Sequence, residues 1–181
     1  MDFNGHMRLL FGIIILFFGI SHQQYGQFLI PGEGIMDVKL GADWDEIEWE
    51  LGFKGKKVEK EKATPSVNFI AQQAGIEFDF VVRYQHIMWL PVSDLYFKEG
   101  KVNLIVLSSY PEYYQMLCAD IGTTEGLNFW NNTEDVKRIY GVKNEVKSND
   151  ESYFFYRKKG LGVELLENEV RSMFIFPAQM K

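Results

Sequence analysis

The side chains best suited to chemistry are few in this chain. Histidine occurs only at His6, His22 and His86, and the single cysteine is Cys118. A hydrolytic triad needs a histidine between a nucleophile and an acid, and a zinc site gathers several His, Cys or carboxylate ligands. His6 and His22 lie in an N-terminal segment set apart below. That leaves His86 alone, between Gln85 and the apolar run from Ile87 to Leu90. A Cys118–His86 nucleophile pair is conceivable. Yet the residues around Cys118 supply neither a helix start nor basic neighbours to lower its thiol pKa. Lacking an intrachain partner, Cys118 forms no internal disulfide and reads as a buried apolar thiol. No glycine-rich phosphate loop is present, and Pro31 to Gly34 (PGEG) reads as a turn. The sequence is therefore expected to hold no catalytic residues, no metal site and no cofactor.

Acids are more plentiful. Asp43 to Gly52, DWDEIEWELG, carries five acids and two tryptophans. Glu46 and Glu50 are four apart, on the outer face of a helix, where like charges repel mildly. A catalytic carboxylate needs a cleft that perturbs its pKa, and the stretch lacks the loop glycine and ligand spacing of a calcium-binding EF-hand. The tryptophans are more telling. Trp44 and Trp49 are separated by about 140° around a helix. Trp44 joins Ile47 and Leu51 in the core-facing stripe, which turns Trp49 to the flank or to solvent. Two roles are open to Trp49: covering the edge of a sheet, or anchoring a basic partner.

The elements that must position these residues recur. Asp43 to Gly52 matches Asn132 to Gly141, NTEDVKRIYG, position for position. Each copy opens on an Asx residue that can cap the first turn, with an acid three residues later (Glu46, Asp135) that can complete a capping box. Each carries an apolar pair four apart (Ile47 and Leu51, Val136 and Tyr140) and closes on a glycine. Both are short helices that need a sheet to pack on. Downstream, Gly75 to Tyr84 alternates apolar and polar residues as a strand does, and Ser93 to Ser109 reads as a hairpin turning at KEGK. Ser152 to Pro177 reads as further strands, turning at ENE. Ser66 to Gln73 is a further candidate strand, and Lys54 to Lys62 (KGKKVEKEK) reads as a solvated loop or helix end. Leu95, Phe97, Glu99 and Val102 match Val163, Leu165, Glu167 and Val170 with equal spacing.

The expected architecture is α+β: two tandem repeats, each a short helix followed by an antiparallel meander of three or four strands, with the helices on one sheet face. The expected organisation is residues 1–26 as a signal peptide, 27–109 as the first repeat, 110–126 as a linker and 127–181 as the second repeat. The signal assignment rests on a single Arg8, a charge-free apolar run from Leu9 to Ile20 and a polar exit. That run is short of the ~20 residues that span a bilayer. Cleavage near Gly26 would leave no membrane insertion, and an uncleaved N-terminal anchor is the alternative. The net charge of −6 argues against nucleic acid, which selects clustered Lys and Arg.

The repeated motifs resemble the β-lactamase-inhibitor-protein-like fold and the small outer-membrane assembly lipoproteins of the SmpA/OmlA type. The residues that carry the likeness are Leu40 to Gly52, Ala74 to Phe80 and Gly100 to Ile105 in the first copy. In the second they are Asn131 to Gly141, Tyr156 to Val163 and Asn168 to Ile175. Two features depart from the pattern. No cysteine follows the apolar run, so the lipoprotein anchor is absent, and residues 81–93 have no counterpart in the second copy. The resemblance implies an exported, non-enzymatic, periplasmic or extracellular protein that binds another envelope or secreted protein as inhibitor or assembly factor. A hydrolase using carboxylates in an inter-repeat cleft and a purely structural cell-surface protein are the alternatives. The binding residues expected are Trp49 on the helix, with Arg83, Tyr96, Lys98 and Arg171 on a solvent-facing side of the sheet. Phe154, Tyr156 and Met173 are expected to share that side.

Overall fold

The structure, a computed structural model, describes residues 27–51, 54–84, 92–109, 121–142, 145–148 and 151–179. Expectations for residues 1–26, Gly52, His86 and Cys118 fall outside these residues. The fold is α+β and mostly sheet. A small four-stranded sheet is built from β1 (Gln27–Ile30), β2 (Gly34–Ile35), β3 (Val38–Lys39) and β8 (Ile121–Thr123), in the order β3-β2-β1-β8. The large sheet has eight strands: β4 (Lys56–Glu59), β5 (Phe80–Tyr84), β6 (Val92–Lys98), β7 (Lys101–Ser108), β9 (Glu145–Ser148), β10 (Glu151–Tyr156), β11 (Leu161–Leu166) and β12 (Glu169–Ile175). Their order is β4-β5-β6-β7-β12-β11-β10-β9, every neighbour antiparallel. The α-helices among the described residues are α1 (Trp44–Leu51), α2 (Pro65–Ala74) and α3 (Thr133–Tyr140).

Local chemistry fixes the punctuation. Asn132 caps α3: its side chain accepts from Glu134 N at 2.9 Å and Asp135 N at 3.1 Å, while Asp135 accepts from Asn132 N at 3.3 Å. That is the capping box expected from the sequence. Gly141 ends the helix at φ 83°. The two-residue turns Glu99-Gly100 and Glu167-Asn168 have positive φ at both positions, the geometry that suits a tight hairpin to strand twist.

Three expectations are corrected. Ser66 to Gln73 is helical, not a strand. Thr64 caps α2, Pro65 fits its first position and Gly75 ends it in the left-handed region at φ 72°. These local signals prevail over an apolar content that suits either state. Lys56 to Glu59 is an edge strand paired to β5, because backbone pairing does not depend on its solvated side chains. Ile121 to Thr123, placed by sequence in the linker, pairs in parallel with β1 and buries Ile121.

Helices on one face are also corrected. One core lies between the large sheet and α1, α3 and the small sheet; it includes Ile47, Val136, Leu29, Ile35, Phe97, Phe154, Val163 and Met173. A second lies on the opposite face under α2, where Val67, Ile70, Ala71 and Ala74 meet Val81, Tyr96, Leu104, Val106, Tyr153 and Phe174. The strands carry apolar residues toward both faces, so leaving either one bare would expose a large apolar area.

The closing turn of β10 and β11 ties this arrangement together. The Gly160 carbonyl accepts from Gly32 N at 3.2 Å and Phe176 N at 3.1 Å, and Gly160 sits at φ 69°. A side chain there would strike the Phe176 carbonyl and the Gly32 backbone. Gly160→Ala should therefore destabilise the protein by roughly 2–4 kcal/mol, measured by urea unfolding, whereas Gly126→Ala, with open space around it, should cost clearly less.

Candidate functional site

The side chains expected to form one exposed sheet surface are split by the pleat. Arg83, Tyr96 and Lys98 fall on the α2 side, whereas Phe154, Tyr156 and Met173 point into the opposite core. Tyr96 is fully buried, its hydroxyl donating to Val67 O at 3.4 Å. Phe154, Tyr156 and Met173 are also buried. These four are core residues, because both sheet faces are covered. Arg83 is half-exposed and engaged: Nε and Nη2 grip Asp94 at 2.7 and 2.5 Å. Lys98 pairs with Asp79 at 3.0 Å. Asp79 also accepts from Glu99 N, and these bonds hold its carboxyl below the usual carboxylate range. Arg171 is largely buried, with Nη2 at 3.2 Å from Glu169. Trp49 alone of the eight stands free, 85% exposed, while Trp44 packs against Phe80 and Phe97.

On the α2 side the structure assembles a group that sequence reasoning passed over. Ser108, Ser172, Glu164 and Tyr153 lie across one row of β7, β12, β11 and β10. Ser172 Oγ donates to Glu164 Oε2 and lies 3.3 Å from Ser108 Oγ. The Tyr153 hydroxyl lies 2.7 Å from Glu164 Oε1 and 2.5 Å from Glu151 Oε2. A phenol has one hydrogen to donate, so Tyr153 can serve only one of the two carboxylates at a time. Burial raises the Glu164 pKa, with the nearby Glu151 charge adding to it. Glu151 and Glu164 thus converge on one phenol hydrogen, and burial shifts Glu164 toward its protonated form. Phe69 of α2 packs edge-on against the buried Tyr153 ring at 5.0 Å. The signal in the sequence was Glu164, one acid between Val163 and Leu165 in an apolar strand, at a position that faces a core only once α2 is in place.

Such an arrangement can store a proton and, if opened, deliver it as an acid. Among the described residues no His, Cys, Asp and Glu side chains converge in a metal-binding group. No helix among them is long and apolar enough to cross a membrane.

A second feature lies at the far end of β10. A cleft of about 770 Å³ is lined by Gln73, Tyr140, Val142, Val146, Phe155 and Tyr156, with the consecutive cations Arg157, Lys158 and Lys159 on its rim. No protein-family model matches this chain, and neither does any curated protein or solved structure.

The raised Glu164 pKa has a pH signature. A carboxyl whose folded pKa is raised contributes stability below its unfolded pKa, about 4.3, and loses it as pH climbs through the folded value. Asp79 and Asp135, held low by their partners, act in the opposite sense as pH falls. The difference between variants therefore isolates Glu164. Glu164→Gln keeps an acceptor for Ser172 and a donor for Tyr153, and should remove the loss of stability on raising pH above the usual carboxylate range. Denaturant midpoints compared from pH 4 to pH 8 check this. Equal pH dependence in both proteins would show that Glu164 is ionised throughout.

Proposed function

We propose that this chain is an exported, non-enzymatic protein-binding module of the bacterial envelope, made of two tandem helix-plus-meander repeats of the β-lactamase-inhibitor-like kind. The repeat reading is supported by corresponding details. α1 precedes β4 to β7 and α3 precedes β9 to β12, and the two series meet back to back at β7 and β12. Irregularities at Tyr96/Phe97 and Glu164/Leu165 occupy matching places in the two hairpins. Val102 N donates to Ala42 O, and Val170 N to Asn131 O, each tying a hairpin to the segment ahead of its helix. The first copy differs by carrying α2 between its outer strands.

The observation that carries the binding function is Trp49. An indole left 85% exposed on a surface helix forfeits a large apolar contact area that a partner could recover. Around it Asp45 and Glu46 are exposed, and Asp45, Glu46 and Glu48 form no ion pair with the described residues, so the surface suits a basic partner. A second reading, as a hydrolase, is favoured by Glu164 facing Glu151 across Tyr153. Both Glu164 oxygens already have partners, however, and a catalytic acid must reach its substrate.

The purified chain used as bait against the envelope fraction of its source cells separates these readings. One stoichiometric partner is expected, its recovery reduced at least tenfold by Trp49→Ala and weakened by high salt, which screens exposed charges. Trp49→Ala leaves the core untouched, so undiminished capture would remove the helix from the interface. Turnover of a substrate that Glu164→Gln abolishes would establish the hydrolase.

A further inference from the structure

We infer that the cleft at the β10–β11 turn is a binding site for a monomeric amphipathic anion, a carboxylate on an aliphatic body. The volume of about 770 Å³ lies in the range of small-molecule sites. Its described lining holds three cations and no acid, in a chain whose net charge is −6. The three cations are not equivalent. Lys159 is compensated by Glu125 at 3.6 Å and lies over the Tyr140 ring. Arg157 has no acid partner among the described residues. Its Nε and Nη2 donate to Gln73 O at 3.3 and 2.7 Å, which fixes the guanidinium at the last turn of α2 and leaves three N–H groups unspent. Lys158 is exposed and makes no ion pair among the described residues. A pinned guanidinium and an unneutralised ammonium on one turn form an anion-binding rim with little ordering left to pay for.

Below the rim the lining turns apolar. Val142 is 79% exposed, and Val146 and Phe155 are only partly buried. These side chains stand where β9 stops pairing at Glu145 while β10 continues to Tyr156. An aliphatic body laid along Val142, Val146 and Phe155 would be desolvated, with its carboxylate at Arg157 and Lys158.

The test is calorimetric titration of the full chain with hexanoate, octanoate and decanoate, and with 1-octanol as the uncharged control. Sedimentation with anionic phospholipid vesicles runs in parallel. Saturable binding of octanoate is expected, tightening about tenfold for each added pair of CH₂ groups, with octanol at least tenfold weaker than octanoate. Lys158→Glu and Val142→Asp should each weaken octanoate at least tenfold without moving the thermal midpoint, since both side chains are exposed. Arg157→Gln should weaken it as well. No saturable binding at millimolar octanoate, equal binding of octanol, or affinity unchanged in both exposed-site variants would overturn the proposal. Vesicle binding that depends on Lys158, without octanoate binding, would likewise overturn it and reassign the rim to a membrane surface.

Discussion

Pairing between β7 and β12 is the contact on which the remaining structure depends. It joins Ile105 to Ile175, Val106 to Phe174, Leu107 to Met173 and Ser108 to Ser172, residues far apart in the sequence. It unites strands β4 to β7 and strands β9 to β12 in one eight-stranded sheet, and it assigns each side chain to a face. Ile105, Leu107, Met173 and Ile175 go to the core under α1 and α3, while Val106 and Phe174 go to the core under α2. Burying each such side chain contributes about 1.5–3 kcal/mol, whereas an exposed ion pair such as Lys101–Asp43 contributes about 1 kcal/mol at most.

A sheet of this breadth cannot leave either face to water when its strands are apolar on both. The two covers differ in origin. Helices α1 and α3 and the small sheet close one side, the small sheet joining β1 to the distant β8. Among the described residues the other side is closed chiefly by α2, a ten-residue helix that reaches both halves, with Val67 over Tyr96 and Phe69 against Tyr153. One helix covers less than a sheet does. The polar row of Ser108, Ser172, Glu164 and Tyr153 lies on that side, and hydrogen bonds to both Glu164 oxygens let its carboxyl sit against a core without an unpartnered buried polar group.

The surface features divide in the same way. Open edges invite further strands, and β4 opposes this with the lysines Lys56 and Lys57. The β10–β11 turn combines cations with apolar side chains, because β9 ends before β10 does. Trp49 lies outside both cores. The candidate partner and the candidate ligand thus address separate parts of the molecule, α1 and the end of β10.

What the sequence determined by itself was local. The capping box at Asn132, the stop at Gly141, the turns at Glu99-Gly100 and Glu167-Asn168, and the division of labour between Trp44 and Trp49 all follow from interactions within a few residues. Short range makes them legible. Tertiary structure decided which face each strand residue meets, and with it the fate of Tyr96, Phe154, Tyr156 and Met173. Alternation along a strand tells which residues share a side, but not what covers it. That answer depended on α2, whose residues Ser66 to Gln73 read as a candidate strand although Thr64 and Gly75 cap a helix there. The Glu164 site stayed hidden for the same reason: its oxygens meet Tyr153 and Ser172 only after three strands pair in register, and its pKa rises only because burial there disfavours the charge.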